Sequence, residues 1–463
     1  MKKFRILLCV IMLGIVFAVM TACGKGPEST DDPVEGGYNG EAFYFIASFI
    51  PGNDERDKDL VYSAGGSDSV SISSIETEVM YDHCEKVEKE YNCRIVRQGG
   101  LGSYDSNSAF AAAYAAGTQQ ANFISADTMT LLDLYKSGII ADLSTIEAID
   151  LSDTEKWGAT SLRTATTSKG VLYAIPMQGS RYMPIQKAYN GAFYYNADLY
   201  NTFGVDRTPR EMIEQGDWTF DDFYNLLLNV YDPDETNRIY GFGLKNSIVT
   251  ATIYANGGDV IVRDKGKYLF GYTKDNAITA LEWARKLTKT DGMMGTLQDF
   301  EDGKAVFCLA PVSDAINSQI KSLSWVPFPY GPDVEQGSTY VSYFGHYEGS
   351  TAIFKHENDP DKDQRTGVIF NALFEPTEFY GKDGYDKYME RNFFNSAEDY
   401  AVYKANVDNM HYTWSKEFSA SDILTSLSES CDAMLRSSSA ILPYVSAYED
   451  AVEQIANEEL GGR

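Results

Sequence analysis

The chain has 463 residues and a formal net charge of -28 at pH 7, from 39 Lys and Arg against 67 Asp and Glu. This excess of negative charge repels phosphate backbones and anionic membrane surfaces, so it argues against a nucleic-acid partner. A hydrophobic content of 44% and an aromatic content of 13% exclude a disordered chain. The length exceeds one average domain core and predicts two or three packing units.

Residues 1–22 are typical of a secretory signal peptide. They begin with a basic segment and continue with an apolar run that is shorter than a typical membrane span. Residues 19–24, VMTACG, resemble the lipobox of bacterial lipoproteins, which implies that Cys23 is lipidated and becomes the new N-terminus. The alternative is an ordinary secretory signal in which Cys23 has no role.

Residues 23–40 are polar and contain Pro27 and Pro33, a composition typical of a tether. Behind a lipidated cysteine, such a tether would hold a folded body at the outer face of the bacterial cell membrane. We therefore expect an extracytoplasmic protein that is anchored to the membrane by lipid.

Strands and helices alternate in the segment that follows. The predicted elements are, in chain order, a strand at 42–46, a helix at 75–91, a strand at 93–97, a helix at 108–116, a strand at 121–125 and a helix at 128–137. This β-α-β-α-β-α series predicts a parallel sheet covered by helices, in which ligands bind beyond the carboxyl ends of the strands.

The middle of the chain contains two candidate crossings between packing units. Strand-like residues at 171–176 and 192–195 flank a segment that contains Gly179, Pro184 and Gly191. Residues 324–332 contain three prolines, which favour an extended backbone and suit a return crossing. Further helices are predicted at 221–231, 276–288, 365–374, 421–435 and 443–459, with strand-like sequence at 340–354.

Trp218 precedes two acidic residues, a combination that can bind a sugar ring and its hydroxyls. The same residues also fit a helix start, with Thr219 as N-cap and Asp222 at the third helical position. Trp218 and Phe223 then occupy the two positions of a hydrophobic staple. We predict that this stretch anchors a helix and is not where a ligand binds.

The four cysteines beyond the signal segment, Cys84, Cys93, Cys308 and Cys431, have no metal-ligand spacing. Cys84 and Cys431 lie on the apolar faces of predicted helices, which favours buried free thiols. A disulfide between Cys84 and Cys93 is the alternative in an exported protein. No metal and no cofactor are expected.

Nine short segments carry a resemblance to a known family. They are 88–96 (EKEYNCRIV), 132–143 (LDLYKSGIIADL), 170–176 (GVLYAIP), 193–199 (FYYNADL), 216–223 (GDWTFDDF), 255–258 (ANGG), 280–283 (ALEW), 300–306 (FEDGKAV) and 326–329 (VPFP). In this order they resemble family 1 of the extracellular solute-binding proteins, the carbohydrate-binding components of ATP-driven importers. The resemblance covers nearly the whole mature chain.

The resemblance implies an α/β fold of the periplasmic-binding-protein type, with two lobes, hinge crossings and a ligand cleft between the lobes. We expect residues 41–185 plus 327–378 to form lobe 1. We expect residues 190–325 plus 379–463 to form lobe 2. Such a protein captures its solute when the lobes close, because the ligand shifts the population from an open to a closed state.

Sugar binding in such a cleft needs aromatic faces for C–H patches and polar groups for hydroxyls, placed after strands or on crossings. The candidate ligand-binding residues are Phe49 and Asp127 on lobe 1, Gln178, Arg181, Tyr343 and His346 on the crossings, and Asn256, Ser313 and Trp414 on lobe 2.

Most of these candidates have a structural alternative. For Asp127 it is a helix N-cap, and for Asn256 a turn beside two glycines. Arg181 could neutralise acidic neighbours and His346 could be a structural imidazole. The aromatic candidates, which are Phe49, Tyr343 and Trp414, could belong to the core.

We therefore expect a monomeric binding protein that captures a carbohydrate, with an oligosaccharide favoured, and delivers it to the permease subunits of an ABC transporter. It is not expected to be an enzyme, since the chain has no Gly-x-Ser-x-Gly, His-Glu-x-x-His or Gly-x-x-x-x-Gly-Lys motif. The alternatives are a membrane-anchored glycan-processing enzyme with paired carboxylates, a binding protein for a peptide or polyamine, and a surface adhesion or sensor protein.

Overall fold

The computed structural model describes residues 37–46, 61–62, 70–71, 74–98, 106–158, 163, 166–176, 191–245, 248–335, 342–344, 349–377, 381–412 and 421–460. The strands are β1 (Glu41–Ile46), β2 (Val61–Tyr62), β3 (Val70–Ser71), β4 (Cys93–Gln98), β5 (Phe123–Asp127), β6 (Thr167–Ser168), β7 (Val171–Leu172), β8 (Ile175–Pro176), β9 (Ala192–Asn196), β10 (Tyr240–Leu244), β11 (Ile261–Asp264), β12 (Lys267–Phe270), β13 (Met294–Thr296), β14 (Ala305–Ala310), β15 (Leu323–Trp325), β16 (Ser342–Phe344), β17 (Gly349–Ile353) and β18 (Met410–Tyr412).

The α-helices are α1 (Ser74–Tyr91), α2 (Asn107–Ala115), α3 (Thr128–Lys136), α4 (Thr154–Trp157), α5 (Ala197–Asn201), α6 (Pro209–Gln215), α7 (Phe220–Leu227), α8 (Val249–Ala255), α9 (Asp275–Lys289), α10 (Leu297–Glu301), α11 (Val312–Asn317), α12 (Pro360–Leu373), α13 (Gly381–Phe393), α14 (Ala397–Asp408), α15 (Ser421–Arg436), α16 (Leu442–Ser446) and α17 (Glu449–Leu460).

The first sheet contains five strands in the order β4, β1, β5, β17, β8. The first three are parallel, whereas β17 runs antiparallel to both β5 and β8. Adjacent residues of a strand face opposite sides: Phe123 packs with α1 and α12, and Ile124 packs with α2 and α3. The predicted α/β series and its helix-covered parallel sheet are therefore confirmed.

The second sheet also contains five strands, in the order β13, β10, β14, β9, β15. Strands β13, β10 and β14 are parallel, and β9 is antiparallel to its neighbours. Phe193 and Phe307 face the cluster that includes residues of α7, α9, α15 and α17. Tyr194 and Cys308, one residue further along each strand, face the cluster built from α10, α11, α13 and α14. This sheet is likewise covered on both faces.

The helix start at Trp218 is structural, as predicted. Trp218 has no exposed surface, and its ring centroid lies 5.6 Å from that of Phe223. Both hydrogen bonds of the capping box are present, because the Thr219 hydroxyl accepts from the Asp222 backbone N–H and the Asp222 carboxylate accepts from the Thr219 N–H. The indole Nε1 donates to the carbonyl of Pro327 at 2.8 Å, which ties this helix to the proline-rich segment.

That proline-rich segment does not cross between the sheets, which corrects the expected return crossing at 324–332. Phe328 packs against Phe193 with ring centroids 5.2 Å apart, and the Phe220 N–H donates to the Tyr330 carbonyl at 2.9 Å. The segment therefore stays on the second sheet, and the chain next enters the first sheet at Gly349. Phe328 and Tyr330 therefore pack on the second sheet, whereas the expected lobe 1 segment began at residue 327.

The four cysteines in the described part of the chain are free and buried. Burial raises the pKa of the thiols of Cys93, Cys308 and Cys431 to about 12, and that of Cys84 further still. The thiols are therefore protonated and poorly reactive at neutral pH. The favoured prediction of buried free thiols is confirmed, and the alternative Cys84–Cys93 disulfide is not formed.

Candidate ligand-binding site

The carboxyl ends of the parallel strands define two edges where a ligand can bind. In the first sheet β1, β4 and β5 end at Ile46, Gln98 and Asp127. In the second sheet β10, β13 and β14 end at Leu244, Thr296 and Ala310. Ligands of open α/β sheets bind outside such ends, so these two edges locate the candidate site.

Five of the nine predicted site residues lie outside the described residues. They are Phe49, Gln178, Arg181, His346 and Trp414. Two of them relate by chain position to the edge of the first sheet, since Phe49 follows the end of β1 and Gln178 follows the end of β8. Their participation stays a prediction.

Asp127 is the last residue of β5 and directly precedes α3. Its backbone pairs with Gly349, the first residue of β17, so Asp127 lies at the edge of the first sheet. A position at both a strand end and a helix start fits ligand contact and helix capping equally well.

Asn256 lies inside the second lobe rather than at a strand end. Its side chain has no exposed surface, and its Nδ2 donates to the Asn276 carbonyl and to Asp333 Oδ2, both at 2.7 Å. Its Oδ1 accepts from the Asp333 N–H at 2.9 Å. Gly331 packs so closely that a Cβ there would lie 2.1 Å from Asn256 Oδ1. These contacts favour the structural alternative for Asn256 over ligand contact.

Ser313 follows β14 at the edge of the second sheet, in the first turn of α11. Its side chain is half-buried, and its carbonyl accepts from Asn317 Nδ2 at 2.8 Å. Its position therefore agrees with the predicted role, although no contact in the structure tests that role.

Tyr343 lies on a parallel two-stranded ribbon formed by β16 and β18, in which it pairs with His411. The pair Phe344 and Tyr412 ends this ribbon, and in the sequence His346 and Trp414 each follow by two residues. Strand β16 packs beside α8, which follows the carboxyl end of β10. The ribbon therefore places Tyr343 beside His411, which precedes Trp414 by three residues in the sequence.

The ribbon is joined to the edge of the first sheet by four residues of chain. The chain passes from Phe344 at the end of β16 to Gly349 at the start of β17, a span of at most roughly 18 Å in extended form. Because Gly349 pairs with Asp127, this span also limits the distance between the end of the ribbon and Asp127.

The sequence prediction missed an ion pair at the edge of the second sheet. Lys245 directly follows β10, and Asp314 lies in the first turn of α11 after β14. The Lys245 Nζ lies 3.2 Å from Asp314 Oδ1 and 3.1 Å from Oδ2. The sequence feature that could have revealed this pair is that both residues follow strand ends. A single Asp among 67 acidic residues does not stand out on that basis alone.

The negative charge of Asp314 also acts on Tyr194, which is buried in the second sheet. Burial is the main reason that the pKa of Tyr194 is raised well above its ordinary value, and the negative charge of Asp314 contributes to that shift. Tyr194 is therefore a neutral, buried phenol behind the edge.

Two absences apply to the described part of the chain. No group of three or more His, Cys, Asp or Glu residues there could hold a metal ion. No helix there combines the length and apolar content that crossing a membrane requires.

Comparison with known proteins identifies the fold. No protein-family model and no curated protein matches the chain. Among solved structures, the cyclic alpha-maltosyl-1,6-maltose binding protein of Arthrobacter globiformis matches with a TM-score of 0.64 and 14% identity, over 92% of this chain and 100% of that chain. The chain has the two-lobe fold of such binding proteins. The first sheet with its helices is lobe 1, and the second sheet with its helices is lobe 2.

Other solved structures with this two-lobe fold differ in what they bind. The sugar-binding protein MalE of Xanthomonas citri matches with a TM-score of 0.58 and 12% identity, over 90% of this chain and 98% of that chain. UgpB of Mycobacterium tuberculosis, solved in complex with glycerophosphocholine, matches with a TM-score of 0.54 and 14% identity, over 82% of this chain and 95% of that chain. The proteins of Arthrobacter globiformis and Xanthomonas citri are named as binding proteins, and at these identities the likeness concerns the fold.

Proposed function

We propose that the protein captures a carbohydrate, with an oligosaccharide favoured, and delivers it to an ABC importer. The observation that carries this proposal is the match to a cyclic-maltosaccharide binding protein over 92% of this chain and the whole of that chain. An ion pair at the edge of lobe 2 supplies hydrogen-bond donors and acceptors suited to hydroxyl groups.

Capture requires that the two lobes move relative to each other. The chain between Phe344 and Gly349 joins the ribbon to the first sheet, and the segment after Pro176 joins the first sheet to β9. Rotation of one lobe relative to the other would close the two strand-end edges on each other. A solute that contacts both edges stabilises the closed state, because it binds that state more tightly than the open one.

The contacts are proposed to come from both lobes. Asp127 would supply a carboxylate from lobe 1, and Ser313 a hydroxyl from lobe 2. Tyr343, His346 and Trp414 would supply aromatic faces from the ribbon and the segments that follow it. Phe49 would complete the proposed set from lobe 1, and Gln178 and Arg181 from a crossing.

Anchoring at the membrane is part of the same proposal. A lipid on Cys23, with residues 23–40 as tether, would keep a monomeric binding protein beside the permease subunits at the outer face of the membrane. Mass spectrometry of the protein from membranes tests this point. A mature N-terminus at a residue other than Cys23, without lipid, would contradict it.

A thermal-shift screen tests the solute. A solute at 100 times its dissociation constant stabilises the folded protein by about 2.7 kcal/mol. We expect maltose, maltotriose and cyclic glucans to raise the melting temperature, and peptides and polyamines to leave it unchanged. A response to peptides or polyamines with none to sugars would contradict the carbohydrate assignment and leave the fold assignment intact.

Two alternatives are tested with the same set of solutes. Glycerophosphocholine belongs in the screen because one protein of this fold was solved with that ligand. An enzyme would convert its solute, so chromatography of each sugar after incubation with the protein should show no product. Product formation would favour the glycan-processing alternative.

A further inference from the structure

We propose that lobe 2 carries a second carbohydrate site, in a surface groove that is separate from the proposed solute site. The groove lies between residues 203–207 and residues 222–229, which form most of α7 and its end, and we call it the α7 groove. Its volume of about 560 Å³ lies within the range of small-molecule sites, roughly 300–1,000 Å³. The inference rests on the proposed function for its class of ligand.

The α7 groove lies toward the amino ends of the parallel strands of lobe 2. Strand β9 runs antiparallel to β14, with Ala192 opposite Ala310, so the chain leaves β9 at the amino end of β14. That chain forms α5 and then one wall of the groove. On the other wall, Leu227 of α7 packs against the start of β10, because a Cβ at Gly241 would lie 3.1 Å from Leu227 Cδ2. The groove is therefore at the far end of the strands from the solute edge, and β14 is roughly 16 Å long.

The floor of the α7 groove is apolar. Met212 of α6 and Leu226 of α7 are buried in the core cluster of lobe 2. Phe203 and Val205 are half-buried and pack against the same cluster. All four side chains line the groove. A sugar ring has apolar C–H patches, and an apolar surface with an aromatic ring can bind them.

The walls of the α7 groove carry groups that bind hydroxyls. Asn225 lies on α7 and Asn229 just after its end, and Asp206 lies on the opposite wall. All three are exposed. A carboxamide both donates and accepts hydrogen bonds, and a carboxylate accepts them. An apolar floor between such walls matches the two kinds of surface that a sugar ring presents.

Both walls are held in place by contacts beside the groove. The Tyr200 hydroxyl donates to the Arg207 carbonyl at 2.5 Å. Arg207 Nη1 donates to Gln215 Oε1 at 2.6 Å and to Asp217 Oδ2 at 2.7 Å. On the other wall, α7 is fixed by its capping box and by the packing of Trp218. Walls that are already ordered lose little conformational entropy when a ligand binds.

The charges at the groove favour a neutral ligand over an anion. Among the described lining residues, Asp206 and Asp222 are acidic and Arg207 is basic. The hydrogen bond to Asp217 is the main reason that the pKa of Arg207 is raised above its ordinary value. The charges of Asp222 and Glu211 raise it further. The guanidinium is therefore surrounded by carboxylates, which oppose the approach of an anion such as phosphate.

NMR of the protein with ¹³C-labelled methionine methyl groups tests the inference. Met212 lines the groove, so its methyl signal reports a ligand there, and Met212→Leu assigns the signal. The probes are maltotriose, cellotriose and mannotriose. We expect a saturable shift of the Met212 signal with a millimolar dissociation constant, because an open groove offers few contacts. The signal of Met293, which is fully buried in the same core cluster, is the internal reference. No shift of the Met212 signal with any of the three sugars would overturn the inference.

Asn225→Ala and Asn229→Ala separate the groove from the proposed solute site. Each should weaken the sugar response at Met212 by about 5-fold, the typical effect of one lost hydrogen bond between neutral groups. Both residues are exposed, so the variants should fold like wild type. The rise in melting temperature with micromolar sugar should also be unchanged. A Met212 response with wild-type dissociation constants in both variants would overturn the inference.

Asn392→Ala is the matched control in the same lobe. Asn392 is exposed on α13, and its Nδ2 donates to the Tyr388 carbonyl, four residues earlier, at 2.7 Å. Asn229 Nδ2 donates in the same way to the Asn225 carbonyl at 2.7 Å. The control removes the same kind of bond outside the groove and should leave the Met212 response unchanged. An equal loss in Asn392→Ala and Asn229→Ala would contradict a specific role for the groove.

Two charged probes test the class of ligand. Spermidine is a cation, and inorganic phosphate is an anion. We expect neither to shift the Met212 signal at the sugar concentrations used. A shift with spermidine or phosphate and none with the sugars would overturn the carbohydrate assignment of the groove.

Failure of this inference differs from failure of the proposed function. If micromolar maltotriose raises the melting temperature and no sugar moves the Met212 signal, only the assignment of the groove is wrong. If no sugar of the screen raises the melting temperature, the proposed function is wrong, whatever the Met212 signal shows.

Discussion

The two lobes share one sheet topology but are stabilised by different kinds of contact. In each sheet the first parallel strand lies between the second and the third, and an antiparallel strand from elsewhere in the chain follows the third. Lobe 2 surrounds its sheet with aromatic rings. Phe193, for example, has the ring centroids of Phe223, Phe242, Phe307 and Phe328 within 5.2–5.7 Å.

Lobe 1 relies more on buried polar side chains. Asn122 is fully buried, with its Oδ1 accepting from the Tyr44 N–H at 2.9 Å and its Nδ2 donating to the Thr366 hydroxyl at 3.0 Å. Lys156 is also buried, between Asn371 and Glu375. The two lobes therefore share a topology that follows from the β-α alternation, and they differ in the side-chain contacts that stabilise them.

Removing an aromatic anchor of lobe 2 should have the largest effect. Trp218→Ala should lower the free energy of unfolding by about 3–5 kcal/mol, because it leaves a cavity and removes the hydrogen bond to Pro327. Urea denaturation measures this loss. A variant that kept its stability and lost only affinity for maltotriose would show that Trp218 is a ligand contact.

Removing a polar contact of lobe 1 should have a smaller effect. Asn122→Ala should lower the free energy of unfolding by about 2 kcal/mol, because the Tyr44 N–H and the Thr366 hydroxyl lose a buried partner. Asn107→Ala is the matched control in the same lobe, since Asn107 donates to Asp133 on the surface. The control should stay within about 0.5 kcal/mol of wild type. Equal losses of unfolding free energy in Asn122→Ala and Asn107→Ala would show that burial does not make the Asn122 hydrogen bonds more important.

The smallest expected effect is a pH dependence in lobe 1. His83 is 6% exposed, and burial lowers its pKa below the ordinary value of 6.5. Between the lowered pKa and 6.5 the unfolded chain binds more protons than the folded chain, so the free energy of unfolding falls as the pH drops through this window. His83→Gln should remove that part of the slope in urea denaturation at several pH values. If the free energy of unfolding changed with pH in the same way for wild type and variant, His83 would not contribute to the pH dependence.

Local patterns predicted much of the fold. The alternation of strand and helix from residue 42 to residue 137 gave the parallel part of the first sheet, because apolar spacing and terminal glycines are local features. The capping box and staple at Thr219 and Trp218 were also predicted, since all their members lie within a few residues. The buried state of Cys84 and Cys431 followed from helix periodicity in the same way.

Contacts between distant segments could not be predicted. The proline-rich stretch was expected to cross between lobes, but Phe328 and Tyr330 attach it to lobe 2. Asn256 was proposed for ligand binding, but its side-chain amide donates hydrogen bonds to Asp333 and Asn276. Lys245 and Asp314 were not selected, because their pairing depends on the register of two strands far apart in the chain. The roles of Phe49, Gln178, Arg181, His346 and Trp414 stay predictions.

The sequence by itself determined the class of fold, the helix start at Trp218 and the apolar helix faces that carry Cys84 and Cys431, because each depends on residues that are near neighbours in the chain. The tertiary structure alone decided which lobe holds residues 326–333, what Asn256 bonds to, and that Lys245 meets Asp314. The physical reason is that the sheet brings strand ends together over long sequence separations, and a contact of this kind leaves no periodic pattern in the chain.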